Sequence, residues 1–261
     1  MKTNILMTFF LILSISTTKG GERDSLLNNK HYAVNLLVGQ NQIKEMNTFP
    51  LVHKGVATEF SFETEKVKSS LRHFQLFITY SRIKTSLEEM AKSANIRLGL
   101  NYSFNFLISQ KDNLRYYLGP QMSLCYSLMI YPNWDESHSY WADHLSFGAN
   151  NILSVALKKE REWFTSLNVS LCSLFSRPDK IRPYKIDDYT PGGVLRDFNS
   201  NLETGFINNA LQINLKTEYR FPVFTSKREA ITFSMDILRL SGNDADPVLQ
   251  IINRIGIKIM L

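Results

Sequence analysis

The chain has 261 residues and a mass of 30.1 kDa, enough for one large domain or two small ones. With 44% hydrophobic and 21% charged residues it is neither disordered nor collagen-like, and a mean hydropathy of -0.17 is too polar for a helical membrane protein. The formal net charge is +6, from basic residues scattered along the sequence without a stripe, which gives no reason to expect a nucleic-acid partner.

Residues 1–20 have three parts: a short basic start from Met1 to Asn4, an apolar run from Ile5 to Ile15, and a small polar end from Ser16 to Gly20. This is the form of a secretory signal peptide cleaved after Gly20, since the run falls short of the roughly 20 residues a membrane helix needs. No Cys follows, so lipoprotein processing is not expected, and residues 21–30 read as a short N-terminal segment. The two cysteines, Cys125 and Cys172, are too few for a disulfide scaffold.

Beyond residue 30 the dominant period is two. From Ile96 to Ile108 the even positions are Ile96, Leu98, Leu100, Tyr102, Phe104, Phe106 and Ile108, while the odd positions are mostly Asn, Ser, Gly and Arg97. Side chains alternate across a strand, so one face is apolar and the other polar or small. The same alternation runs through Tyr116–Ile130, Gly205–Phe221 and Leu249–Leu261. In all, about ten strands are expected, over 31–39, 55–65, 71–82, 95–109, 115–130, 144–157, 162–175, 203–221, 229–240 and 248–261. Many are longer than the roughly 5–6 residues of an ordinary strand. Long connections are expected at 40–54, 83–94, 131–143 and 176–202, alternating with short turns at 66–70, 110–114 and 158–161. The last two, 222–228 and 241–247, are equal in length.

The long alternating strands, the unequal connections and the aromatic residues near strand ends (Tyr80, Tyr116, Trp163, Tyr219, Phe221) resemble the small single-chain outer-membrane β-barrels of Gram-negative bacteria. The resemblance implies an all-β, antiparallel up-and-down transmembrane barrel of about ten strands (8–12) over residues 31–261. It implies both termini in the periplasm, insertion by the barrel assembly machinery, and contact with outer-membrane lipid and lipopolysaccharide. The chain departs from many such barrels by ending in Ile259-Met260-Leu261 rather than in an aromatic residue. A soluble lipocalin-like barrel or β-sandwich shares the alternation with its apolar face turned inward.

With the apolar face in lipid, the lumen receives the acids Glu59, Glu63, Glu218 and Asp236 and the bases Arg97, Lys216, Arg220, Arg254 and Lys258. His73, Gln75, Asn101 and His144 join them, and Cys125 and Cys172 fall on the same face as small buried thiols. Buried charges are costly unless paired, so ion pairs between strands are expected in a plugged or narrow interior.

His144 and Ser146 are the candidate catalytic pair. They resemble the His-x-Ser of outer-membrane lipid A deacylases, in which the His activates a Ser nucleophile. That family also needs an acid a short way downstream, whereas the first acids after Ser146 are Glu160 and Glu162. The 131–143 loop, with Trp134, Asp135, Glu136, His138, Tyr140 and Trp141, is the candidate ligand-binding surface. Its carboxylates and the Asp187-Asp188 pair suggest an omptin-like protease, a ten-stranded barrel family, but their spacing does not match. The 176–202 loop could contact lipopolysaccharide phosphates. No zinc spacing, phosphate loop or dinucleotide fingerprint is present, so no metal or cofactor is expected. The reading is a barrel without catalysis that binds through its loops or serves envelope integrity; a hydrolase or a narrow channel is the alternative.

Overall fold

The computed structural model describes residues 30–45, 49–67, 70–85, 92–131, 139–178, 190, 192–193, 196, 199, 201–224, 227–242 and 247–261. Twelve strands follow one another: β1 (Lys30–Glu45), β2 (Phe49–Val67), β3 (Ser70–Lys84), β4 (Ser93–Lys111), β5 (Leu114–Ile130), β6 (Ser139–Trp141), β7 (Asp143–Ala156), β8 (Glu162–Ser176), β9 (Leu202–Phe206), β10 (Ala210–Phe224), β11 (Lys227–Leu240) and β12 (Val248–Met260). Each long strand pairs antiparallel with its neighbours; β12 returns to β1, and β10 closes on β8. The result is a ten-stave closed barrel, with β6 and β9 extending it along the edges of β5 and β8. Closure leaves the ten staves no free edge, which a sheet in hydrocarbon requires.

The burial pattern settles which face is inside. Leu36, Val56, Phe60 and Ile257 point outward and are 51–61% exposed, whereas Glu63, Glu218, Arg254 and Lys258 point inward and are 0–3% exposed. A water-soluble barrel shows the reverse. The apolar belt has visible edges. On β2, Lys54 and Lys66 bracket Val56, Thr58, Phe60, Phe62 and Thr64; on β3, Arg72 and Arg82 bracket Phe74, Leu76, Ile78 and Tyr80. About twelve residues from Lys54 to Lys66 span roughly 40 Å of strand. That is roughly 30 Å along the axis at a tilt near 40°, a hydrocarbon thickness.

One end of the barrel, the terminal end, carries Lys30, Leu261 and the connections β2–β3, β4–β5 through Asp112-Asn113, β7–β8 and β10–β11. Asp112 takes a left-handed φ of 48°, which Asp tolerates in a tight turn. The opposite, loop end carries the short β1–β2 connection 46–48 and the longer connections 85–92, 131–142, 177–201 and 241–247. Two expectations need correction. The 40–54 segment is almost entirely strand, because β1 continues to Glu45 and β2 begins at Phe49. The last two connections are unequal, because β10 and β11 extend to Phe224 and Lys227.

The lumen is filled in layers. At the loop end Ile43, Ile83, Met129, Tyr140, Phe175 and Leu238 belong to a buried apolar plug. Beneath it an amide layer links Asn41, Asn95 and Gln250: Gln250 Nε2 donates to both Asn41 Oδ1 (3.1 Å) and Asn95 Oδ1 (3.2 Å). The charged residues fill the middle, and Leu71, Tyr117, Ile152 and Phe164 close the terminal end.

Candidate functional site

The charged layer is the chemically richest part of the molecule, and strand alternation creates it. On β2, Glu59, Glu63 and Glu65 lie an even number of residues apart and all turn inward, as do Lys216, Glu218 and Arg220 on β10. Arg254 and Lys258 enter from β12, Asp236 from β11 and Arg97 from β4. The charges meet in two nodes. In the first, Arg254 joins Glu59 and Asp236, and Arg97 lies 3.4 Å from Asp236. In the second, Lys258 lies 2.7 Å from Glu63, 2.9 Å from Glu65 and 3.0 Å from Glu218. Lys216 reaches Glu63 and Glu218, and Arg220 reaches Glu218, Glu65 and Glu162. The Arg220 guanidinium also sits 4.1 Å above the Phe164 ring. Desolvation of so many ions is tolerable because each has an opposite charge within contact.

Glu63, Glu65 and His73 bring ligand-type atoms within 4.8 Å of one another. Lys216, Lys258 and Arg220 already supply the positive charge there, and His73 Nε2 lies 3.3 Å from Glu63. The cluster is an ion-pair node, and its donors are not available as a metal site.

The cavities lined by described residues are small. A cavity of about 90 Å³ opens at the terminal end between Phe164, Tyr117, Arg115, Arg228 and Glu162. Two cavities of about 20 Å³ lie in the charged layer, each with room for about one water.

The inward placement of Glu59, Glu63, His73, Gln75, Arg97 and Asn101 agrees with the sequence reading, as does that of His144, Lys216, Glu218, Arg220, Asp236, Arg254 and Lys258. The expected ion pairs are present as well. Glu65, Ser81, Asn95 and Gln250 belong to the same lumen and follow from the same alternation. Cys172 is a correction. A bulge at Leu171 lets Gly148 pair Ser170 and Phe147 pair Cys172, so Cys172 turns outward beside Phe147. Cys125 is buried in the lumen, and both thiols are free.

His144 and Ser146 are neighbours on the inner face of β7, 2% and 1% exposed. Ser146 Oγ shares a 2.9 Å hydrogen bond with Ser173 Oγ, not with His144. No carboxylate hydrogen-bonds either ring nitrogen of His144; its polar neighbour is Gln212. The described residues therefore bring together neither a nucleophile–base bond nor an acid to orient the base. Of the expected binding loop, Tyr140 and Trp141 are strand residues: Tyr140 is buried in the apolar plug and Trp141 is 6% exposed. Trp134, Asp135, Glu136 and His138 lie outside the described residues, as do Asp187 and Asp188.

Just beyond the belt, His53 is enclosed beneath the loop end, its Nε2 3.3 Å from the Tyr131 hydroxyl. Burial pushes its pKa down to about 4, so it is neutral at pH 7.

No protein-family model matches the sequence, and no characterised protein matches it by sequence. Among solved structures it is similar to the outer membrane protease OmpT from Escherichia coli (9% identity, TM-score 0.46, 89% of this chain and 96% of that one). It is also similar to the translocator domain of the autotransporter NalP from Neisseria meningitidis (9%, 0.42, 98% and 93%). A third similarity is to Neisserial surface protein A, NspA (9%, 0.38, 89% and 99%).

Proposed function

We propose that the protein is an outer-membrane β-barrel with a closed lumen, which acts through its outer surface rather than by conducting solutes or by catalysis. One observation carries this reading: an apolar plug, an amide layer and a dense ion-pair network lie one above another across the bore. Secretion by the 1–20 segment, insertion by the barrel assembly machinery and periplasmic termini complete the proposal. The long connections 85–92, 131–142 and 177–201 at the opposite end support that orientation, since barrels of this kind carry their longer loops on the outer side. The loop end, including Trp134, Asp135, Glu136 and His138, then faces outward as the binding surface. Tyr140, buried in the plug, is a structural anchor of that loop. Planar-bilayer recording on the refolded protein tests the reading. It predicts silence across salt conditions, and steady single-channel steps from the wild type would overturn it.

A further inference from the structure

The scatter of basic residues along the sequence does not survive folding. On the outward faces of β1–β3 they gather into two rows, one at each edge of the apolar belt. At the loop end Lys54 lies directly opposite Lys84, Arg82 is opposite Val56, and Lys44 stands on the adjoining strand opposite Val52. At the terminal end Lys30 is opposite Lys66, and Lys66 is opposite Arg72. Like charges directly across a ladder are destabilising without a counter-charge. None of these side chains forms an ion pair among the described residues. The three glutamates of β2 face the lumen and β3 carries no acid, so no described acidic side chain faces outward on this wall. At the terminal end, aromatic rings rather than carboxylates hold the cations: Lys30 sits 4.7 Å from the Tyr32 ring and Arg72 4.9 Å from Phe104. β10 and β12, by contrast, carry no outward charge among the described residues.

We propose that the β1–β3 wall is a docking face for phosphate-bearing lipid headgroups, gripped at both edges of the belt. The proposal rests on the membrane-barrel reading and adds the ligand class to it. The separation of the rows selects lipid over a soluble anion. They stand a hydrocarbon thickness apart, roughly 30 Å, where the phosphates of the two leaflets lie. Long basic side chains reach that level while their stems remain against the acyl chains. The placement holds whichever end faces outward.

The test uses the full-length mature barrel, refolded into neutral detergent micelles and titrated with phosphatidylglycerol. Lipid retained per barrel is counted by native mass spectrometry. Each cation beside an anionic surface is worth about a factor of five, so Lys54→Gln/Arg82→Gln/Lys84→Gln is expected to weaken retention on the order of a hundredfold. Lys30→Gln/Lys66→Gln/Arg72→Gln is expected to do the same. Removing as many charges from the exposed end of β4 and the β7–β8 turn, Lys111→Gln/Lys158→Gln/Lys159→Gln, should leave retention unchanged. Equal retention by all four proteins overturns the proposal. So does displacement of the lipid by inorganic phosphate at equal concentration, which would mark a simple anion site. Heat-modifiable gel mobility reports folding; if a triple variant fails to fold, Lys54→Gln and Lys84→Gln alone should each lose about fivefold. A wild type that stays folded in detergent-free buffer would instead overturn the membrane reading itself.

Discussion

Lys258→Met tests whether the lumen charges form one buried network. The ammonium group is 1% exposed and donates to Glu65 Oε1 at 2.9 Å and to Glu218 Oε1 at 3.0 Å, with Glu63 at 2.7 Å. Across the two nodes six acids (Glu59, Glu63, Glu65, Glu162, Glu218, Asp236) face five bases (Arg97, Lys216, Arg220, Arg254, Lys258), with His73 beside Glu63. Met is an unbranched side chain of similar size that removes the charge, leaving the acids with one base fewer and a further carboxylate without water to solvate it. Removing one partner from a buried ion pair costs about 3–5 kcal/mol, and that loss is expected in urea unfolding of the barrel in phospholipid vesicles. Adding Glu63→Gln restores the balance, because Lys216 keeps Glu218 and Arg220 keeps Glu65. The double variant should regain roughly 1–3 kcal/mol. A single-variant loss below about 1 kcal/mol, with no recovery in the double, would show that water already solvates these groups and would refute the filled lumen.

Three further outcomes follow from the packing. Gly99→Ala places a methyl 2.3 Å from Phe77 Cζ and 2.9 Å from the Leu124 carbonyl, so it should cost about 1–3 kcal/mol, with partial rescue by Phe77→Leu in the same unfolding assay. Burial holds the folded pKa of His53 at about 4, below its unfolded 6.5, so its contribution is complete above pH 6.5 and is lost as the pH falls towards 4. Proteolytic nicking at the loop end should therefore rise between pH 7 and pH 4 in the wild type and rise less in His53→Gln. Ser146→Ala removes a Ser–Ser hydrogen bond worth about 1 kcal/mol and should leave lipid A or phospholipid hydrolysis assays at background in both proteins. Hydrolysis by the wild type that the variant loses would restore the hydrolase reading.

The barrel and its lumen were legible because one rule, period two, holds wherever the outer face meets lipid. It placed Glu63, Lys216 and Lys258 in one interior although they are far apart in sequence. The rule fails where the solvent changes. Above the belt the outer face meets water and the inner face meets the plug, so the parity of apolar residues reverses. Ile43 and Ile83 turn inward while Lys44, Arg82 and Lys84 turn outward. That reversal is why 40–54 read as a loop. Leu71 and Val67, inside Arg72 and Lys66, repeat it at the other end. Cys172 was misplaced because a bulge shifts the register at Leu171, and nothing in Ser170-Leu171-Cys172 announces it. The basic wall was invisible for a different reason: its members come from three strands and gather into two rows only through strand pairing. The candidate pair His144 and Ser146 was legible as adjacent lumen residues. Its hydrogen bonding was not, since Ser173 comes from the next strand.

The most direct measurement is a spin-label accessibility scan along β3, residues 72–82, in phospholipid vesicles. Labels at Phe74, Leu76, Ile78 and Tyr80 should collide with membrane-dissolved oxygen, while labels at Gln75, Phe77 and Thr79 should be shielded from it. Oxygen contact at the odd positions, with the even ones reached by a water-soluble relaxant, would contradict the account.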